Sequence, residues 1–126
     1  MAIKGHGVDI VEIARITEML ASHPERFVAK CFTLGEAAYC GDGPTRVQRF
    51  AARFAAKEAA LKALGTGWRD GIAWTDVEVA SEPSGRPTLR VSGEAARIAA
   101  GLGIIRWCIS LSHSKSHAIA SVIAEG

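Results

Sequence analysis

The sequence predicts an α+β fold in which an antiparallel sheet packs on one long central helix. Three observations carry that expectation. Helical spacing fills the first half of the 126-residue chain and alternation the second. The longest helical stretch keeps Phe50, Phe54, Leu61 and Leu64 on one stripe that must be buried. The chain closes with two alternating segments joined by the short link SHSKSH, which reads as a hairpin. Because helices and strands segregate along the chain, a doubly wound parallel sheet is not expected.

The elements follow in order. Residues 3–10 alternate loosely and contain Gly5 and Gly7, the mark of a strand that another backbone or a ligand approaches closely. Ile13, Ile16 and Leu20 then repeat at helical spacing, with Arg15 and Glu18 on the other side. Pro24 opens a further short helix, and Thr33 with Glu36 has capping-box spacing for another. After the loop GDGP, Thr45 and Gln48 are placed to cap the longest helix, which ends near Leu64 with Gly65 as its stop. Residues 72–80 and 88–92 read as strands across the turn SEPSGRP, and residues 94–102 as an alanine-rich helix. Residues 105–112 and 118–124 form the closing hairpin.

Length and composition set bounds on function. A chain of this size, 48% hydrophobic and 22% charged, is expected to be one globular domain over residues 1–126. A net charge of +2 does not by itself imply nucleic-acid binding, and neither an RRM-like aromatic pair nor a strongly basic stripe is present. Cys31, Cys40 and Cys108 are odd in number and form no CxxC pair, which fits a reduced cytoplasmic interior. No apolar run reaches the roughly 18 residues of a membrane span, and no signal-like segment opens the chain, so a cytoplasmic protein is expected.

Candidate chemistry gathers at three places. In FAAKEAALKALGTG, Glu58 and Lys62 lie side by side at the edge of the apolar stripe, Lys57 falls inside it, and Arg53 is one turn earlier. Spacing permits a snorkelling Lys57 beside a surface ion pair, or an anion or metal site. Asp9 has capping-box spacing with Glu12, and it also stands at a strand end beside Gly7, where a carboxylate can bind Mg²⁺; Asp9 and Glu58 together offer the one or two carboxylates that ion takes. SLSHSKSH lacks a GxSxG elbow, and its hydroxyl and basic groups suit a phosphate better than a serine hydrolase or a histidine metal site.

Three segments together, GVDIVEIAR, RFAAKEAALKALGTG and SLSHSKSHAIA, resemble the holo-acyl-carrier-protein synthase family, the small 4′-phosphopantetheinyl transferases. Their order and separation agree with the family, and WTDVEV and SGRP between them are also similar. The resemblance implies the 4′-phosphopantetheinyl transferase-like fold and a Mg²⁺-dependent transfer from coenzyme A to a serine of apo acyl carrier protein, leaving adenosine 3′,5′-bisphosphate, in fatty acid biosynthesis. It further implies Asp9 and Glu58 as metal ligands and Lys62 at the pyrophosphate. Arg53, Ser112 and His113 would lie by the 3′-phosphate, with Gly85, Arg86 and Pro87 bordering the adenine from a neighbouring subunit of a homotrimer. Arg15 and Arg26 would face the acidic carrier protein. Glu58 acting directly, Glu58 through a water, and a metal-bound hydroxide all stand as candidates for the general base. Two readings from other classes are a binding module without catalysis and a metal-dependent phosphohydrolase built on Asp9, Glu58 and His113; a coenzyme A assay separates the first, and release of product without a carrier protein marks the second.

Overall fold

In the computed structural model, which describes residues 1–69 and 71–126, the first alternating stretch runs straight through Glu12 as β1, Ile3–Glu12. Its inward residues Gly7, Asp9 and Val11 are buried and the residues between them are exposed, as a strand with one covered face requires. The extension overturns the N-cap reading of Asp9. The cap of the following helix, α1 (Ile13–Ser22), is Glu12, and no side chain bonds there. The predicted apolar trio Ile13, Ile16 and Leu20 is the buried face of α1.

Pro24 opens α2 (Pro24–Cys31), and Thr33 caps α3 (Leu34–Cys40) through both bonds of the expected capping box. The long helix α4, Arg46–Leu64, ends at Gly65 in the left-handed conformation at φ 80°. Its start differs from expectation. Thr45 is the N-cap but makes no side-chain cap bond, and Gln48 Oε1 is buried without a partner.

Residues 72–80 also differ. A 3₁₀ turn, Trp74–Asp76, precedes β2, Val77–Ser81, because the Asp76 carboxylate accepts the Ala73 N–H at 3.3 Å and curls the chain locally. The strand β3 spans Pro87–Val91, and α5 (Gly93–Gly101), β4 (Arg106–His113) and β5 (His117–Glu125) complete the chain. The strands form two antiparallel sheets where one was expected, a three-stranded sheet of order β1-β5-β4 and a β2-β3 hairpin.

Packing of α4 on the larger sheet depends on missing side chains. A Cβ on Gly5 would sit 1.9 Å from the Ala63 carbonyl oxygen, and one on Gly7 1.9 Å from that of Ala59. The alanines at 51, 52, 55, 56, 59, 60 and 63 are all buried, so the helix lies with its backbone almost against β1. On its other flank Phe50 and Phe54 pack with Phe27 and Phe32 of the α2 region, Phe32 meeting Phe50 edge-on at 4.8 Å. The result is one contiguous core with α4 at its centre.

Candidate active site

Because α4 lies so close to β1, a side chain on its near edge reaches the strand directly. Lys62 Nζ donates to Asp9 Oδ1 at 2.8 Å and to the Val8 carbonyl at 3.0 Å. Of the two readings for Glu58 and Lys62, the surface pair between them does not form; Lys62 pairs with Asp9 across elements. Glu58 sits beside both. Burial, then the neighbouring Asp9 carboxylate, push its carboxyl up to about 7, against the lowering pull of Arg15 and Lys62. The Asp9 hydrogen bond holds the Lys62 ammonium above the usual lysine value.

Two carboxylates with only one ammonium between them leave negative charge to be neutralised. Asp9 is buried, and its Oδ2 has no hydrogen-bond partner. A hard divalent cation meets this need, since it takes oxygen donors from one or two carboxylates and completes its shell with phosphate oxygens and water. The donor set therefore fits Mg²⁺, with Asp9 and Glu58 to hold it. Among the described residues no group of three or more His, Cys, Asp or Glu side chains could make a closed metal cage.

Glu58 and Lys62 line a cavity of about 250 Å³ together with Leu61, Gly67, Trp68 and Trp74. The two tryptophans stack at 6.4 Å with planes 14° apart. Sequence reasoning missed both, although a tryptophan directly after the GTG helix stop was a usable signal.

Arg53, Ser112 and His113 come together elsewhere, around a cavity of about 310 Å³ also lined by Tyr39, Gln48 and Arg49. Arg53 is 4% exposed, its Nε is unpartnered, and its guanidinium lies 3.8 Å from the Tyr39 ring centroid. The Arg49 guanidinium lies 5.0 Å from the same centroid. A buried guanidinium with spare donors beside a histidine and a hydroxyl is suited to a phosphate dianion. The spacing of Arg46, Arg49 and Arg53 on one helix face could have revealed the extra arginine.

The turn Gly85, Arg86, Pro87 occupies a third location. Gly85 has φ 89° in the β2–β3 loop, and Arg86 with Pro87 borders a cavity near Arg106 and Cys108. Arg15 and Arg26 are exposed on α1 and α2, and neither forms an ion pair among the described residues. Within one chain, then, the expected site residues fall into separate groups. Arg53 and Lys62 are nine positions apart on α4, which sets them about 180° apart around the helix axis.

Comparison with known proteins identifies the family. Residues 5–122 match the model of the 4′-phosphopantetheinyl transferase superfamily. The chain belongs to that superfamily. It is 50% identical over 123 residues to the holo-[acyl-carrier-protein] synthase of Koribacter versatilis, covering 98% of both chains. Its fold is similar to the holo-[acyl-carrier-protein] synthase of Neisseria meningitidis, with a TM-score of 0.88, 31% identity and coverage of 99% of this chain and 100% of that one. It is similar also to the Helicobacter pylori synthase in complex with coenzyme A, with a TM-score of 0.85, 28% identity and coverage of 95% and 99%. The enzyme class is therefore a phosphopantetheinyl transferase.

Proposed function

We infer that this chain moves the 4′-phosphopantetheine arm of coenzyme A onto a serine of apo acyl carrier protein, in a Mg²⁺-dependent reaction serving fatty acid biosynthesis in the cytoplasm. The observation that carries the site assignment is the Asp9–Glu58–Lys62 group, of which Glu58 and Lys62 line an aromatic cavity.

In the transfer, a bond forms between the serine oxygen and the phosphorus of the pantetheine phosphate. The pyrophosphate P–O bond breaks, and adenosine 3′,5′-bisphosphate leaves. Asp9 and Glu58 would hold Mg²⁺, which would supply charge neutralisation at the pyrophosphate. Lys62, 53% exposed on a flexible stem, turns from Asp9 to the leaving phosphate and balances the charge that grows there. Glu58 is the carboxylate lining the cavity and is placed to take the serine proton, directly or through a water. Positioning and electrostatics suffice, so no nucleophile on this chain is needed.

The phosphate cavity around Arg53 and His113 would serve the 3′-phosphate of the same coenzyme A. Its placement on the opposite side of α4 from Lys62 supports a site completed by a second copy, with Gly85, Arg86 and Pro87 at the adenine. The outer face of the larger sheet suits such an assembly. Val8, Ile10 and Ile119 are exposed there, and Ile10 is directly opposite Ile119. An apolar sheet face of this kind calls for cover, and a homotrimer supplies it. Mixing two inactive variants tests the composite site. Arg53→Ala and Lys62→Ala, co-folded, should regain part of the parent's activity because some interfaces then carry two intact halves. No recovery in the mixture would place each complete site within one chain.

A further inference from the structure

Lys57 stands one residue before Glu58, about 100° around α4, and points away from Asp9 into the protein. Neither Lys57 nor Glu36 has any exposed side-chain surface, and Lys57 Nζ is 2.6 Å from Glu36 Oε1. Of the readings the sequence permits for Lys57, snorkelling does not occur; the lysine is the buried partner of a carboxylate. Nζ also donates to the carbonyl of Val77, the first residue of β2, at 2.5 Å. Glu36 is satisfied on both oxygens: Oε1 also accepts the Thr33 N–H at 2.9 Å, and Oε2 accepts the Val79 N–H at 2.8 Å. Phe32 lies with its ring centroid 5.6 Å from the ammonium. A single ammonium thus ties α4 to α3 and to β2.

Such a pair adds little net stability over apolar side chains of the same shape, because desolvation offsets much of the attraction. Its directionality is another matter. Against β1, α4 presents alanines to glycines, surfaces that set a distance but have few ridges to resist rotation or sliding. The two bonds of Lys57 oppose that freedom at the very turn that carries Glu58. We propose that Lys57 and Glu36 form a positioning pair for the transfer, fixing the rotation of α4 so that Glu58 and Lys62 face Asp9. The proposal rests on the assignment of Glu58 and Lys62 to the reacting end of the site. A displacement of one ångström at reacting groups can cost on the order of a hundredfold in rate, so a loosened turn would appear in kcat before it appeared in stability.

The decisive variant is Glu36→Gln/Lys57→Met, which removes both charges, keeps an oxygen for one of the Thr33 and Val79 N–H groups while its NH2 faces the other, and retains the length of the Lys57 stem. The unfolding temperature should fall by roughly 10 °C, because one buried N–H and the Val77 carbonyl lose their partners, while the protein stays folded at assay temperature. Its kcat should drop about tenfold or more while the KM for coenzyme A changes less than about threefold, and the Mg²⁺ needed for half-maximal rate should rise. A folded double variant with the parent's kcat would overturn the positioning role. Glu36→Asp retains both charges and withdraws the carboxylate by one carbon; it is expected to show the same split between kcat and KM, and an unchanged kcat there would also overturn the proposal. Glu58→Ala assayed alongside separates the two possible failures. If that variant is active, the site assignment falls and the positioning role with it; if it is inactive beside a fully active double variant, the positioning role alone is wrong.

Discussion

Asp9 and Glu58 gather two carboxylates around one ammonium, and the consequences can be measured residue by residue. Asp9→Ala and Glu58→Ala should each reduce transfer on the order of a thousandfold, since each removes a carboxylate that would hold the charge-neutralising Mg²⁺. Both variants should unfold within a few degrees of the parent: Asp9 caps no helix, and the lost pairing with Lys62, half-exposed, is offset by relief of repulsion between neighbouring carboxylates. Steady-state rates at saturating Mg²⁺ together with melting curves check the pair of claims, and a Tm loss in proportion to the lost rate would argue for a folding defect instead. The raised Glu58 carboxyl gives a pH signature. In the metal-free protein, its protonated form stabilises the fold fully below 4.5, and this contribution disappears as pH rises through about 7. The metal needs the opposite form, so proton and Mg²⁺ compete. The Mg²⁺ concentration for half-maximal rate should fall steeply from about pH 6 to pH 7 and level off above. A flat Mg²⁺ requirement over that interval would remove Glu58 from the ligand set.

At the scale of elements, the contact between β1 and α4 is what brings Asp9 to Lys62. Gly7→Ala should therefore cost about 3 kcal/mol of stability, because its Cβ would meet the Ala59 backbone and not a side chain that could swing aside. Urea unfolding measures this, and a midpoint like the parent's would mean that strand and helix separate freely. Local signals made these elements legible. The glycines of β1 announced a close approach, the apolar stripe announced α4, and Gly65 announced its end. Where a distant partner decided the outcome, the sequence was silent. Asp76 takes the Ala73 N–H and also the Ala95 N–H of α5, so it turns a stretch that alternates like a strand into a 3₁₀ turn. Thr33 and Glu36 were readable as a capping box, but the same Glu36 meeting Lys57 across 21 positions was not. At Thr45 the spacing of a capping box was present without its bonds.

For the whole molecule, the candidate site residues were legible as a set only through the family's motifs, since no local pattern links Asp9 to Glu58 or Arg53 to His113. Their division between the two sides of α4 became visible only in three dimensions. Partner recognition belongs to this scale too. Arg15 and Arg26 are exposed, with no ion-pair partner among the described residues, and Arg15 is near enough to Glu58 to pull its carboxyl downward. An acidic carrier protein approaching this face would deliver its serine beside Glu58. Arg15→Glu should raise the KM for the carrier protein, leave that for coenzyme A nearly unchanged and weaken the salt dependence of the rate. Carrier-protein kinetics that ignore both salt and this variant would move the docking face away from α1.

The most direct measurement is intact-mass analysis of an apo acyl carrier protein incubated with this chain, coenzyme A and Mg²⁺. The parent should add one phosphopantetheine to the carrier, and Glu58→Ala should leave it unmodified over the same time. An unmodified carrier with the parent, or coenzyme A cleaved without gain of mass on the carrier, would contradict the account.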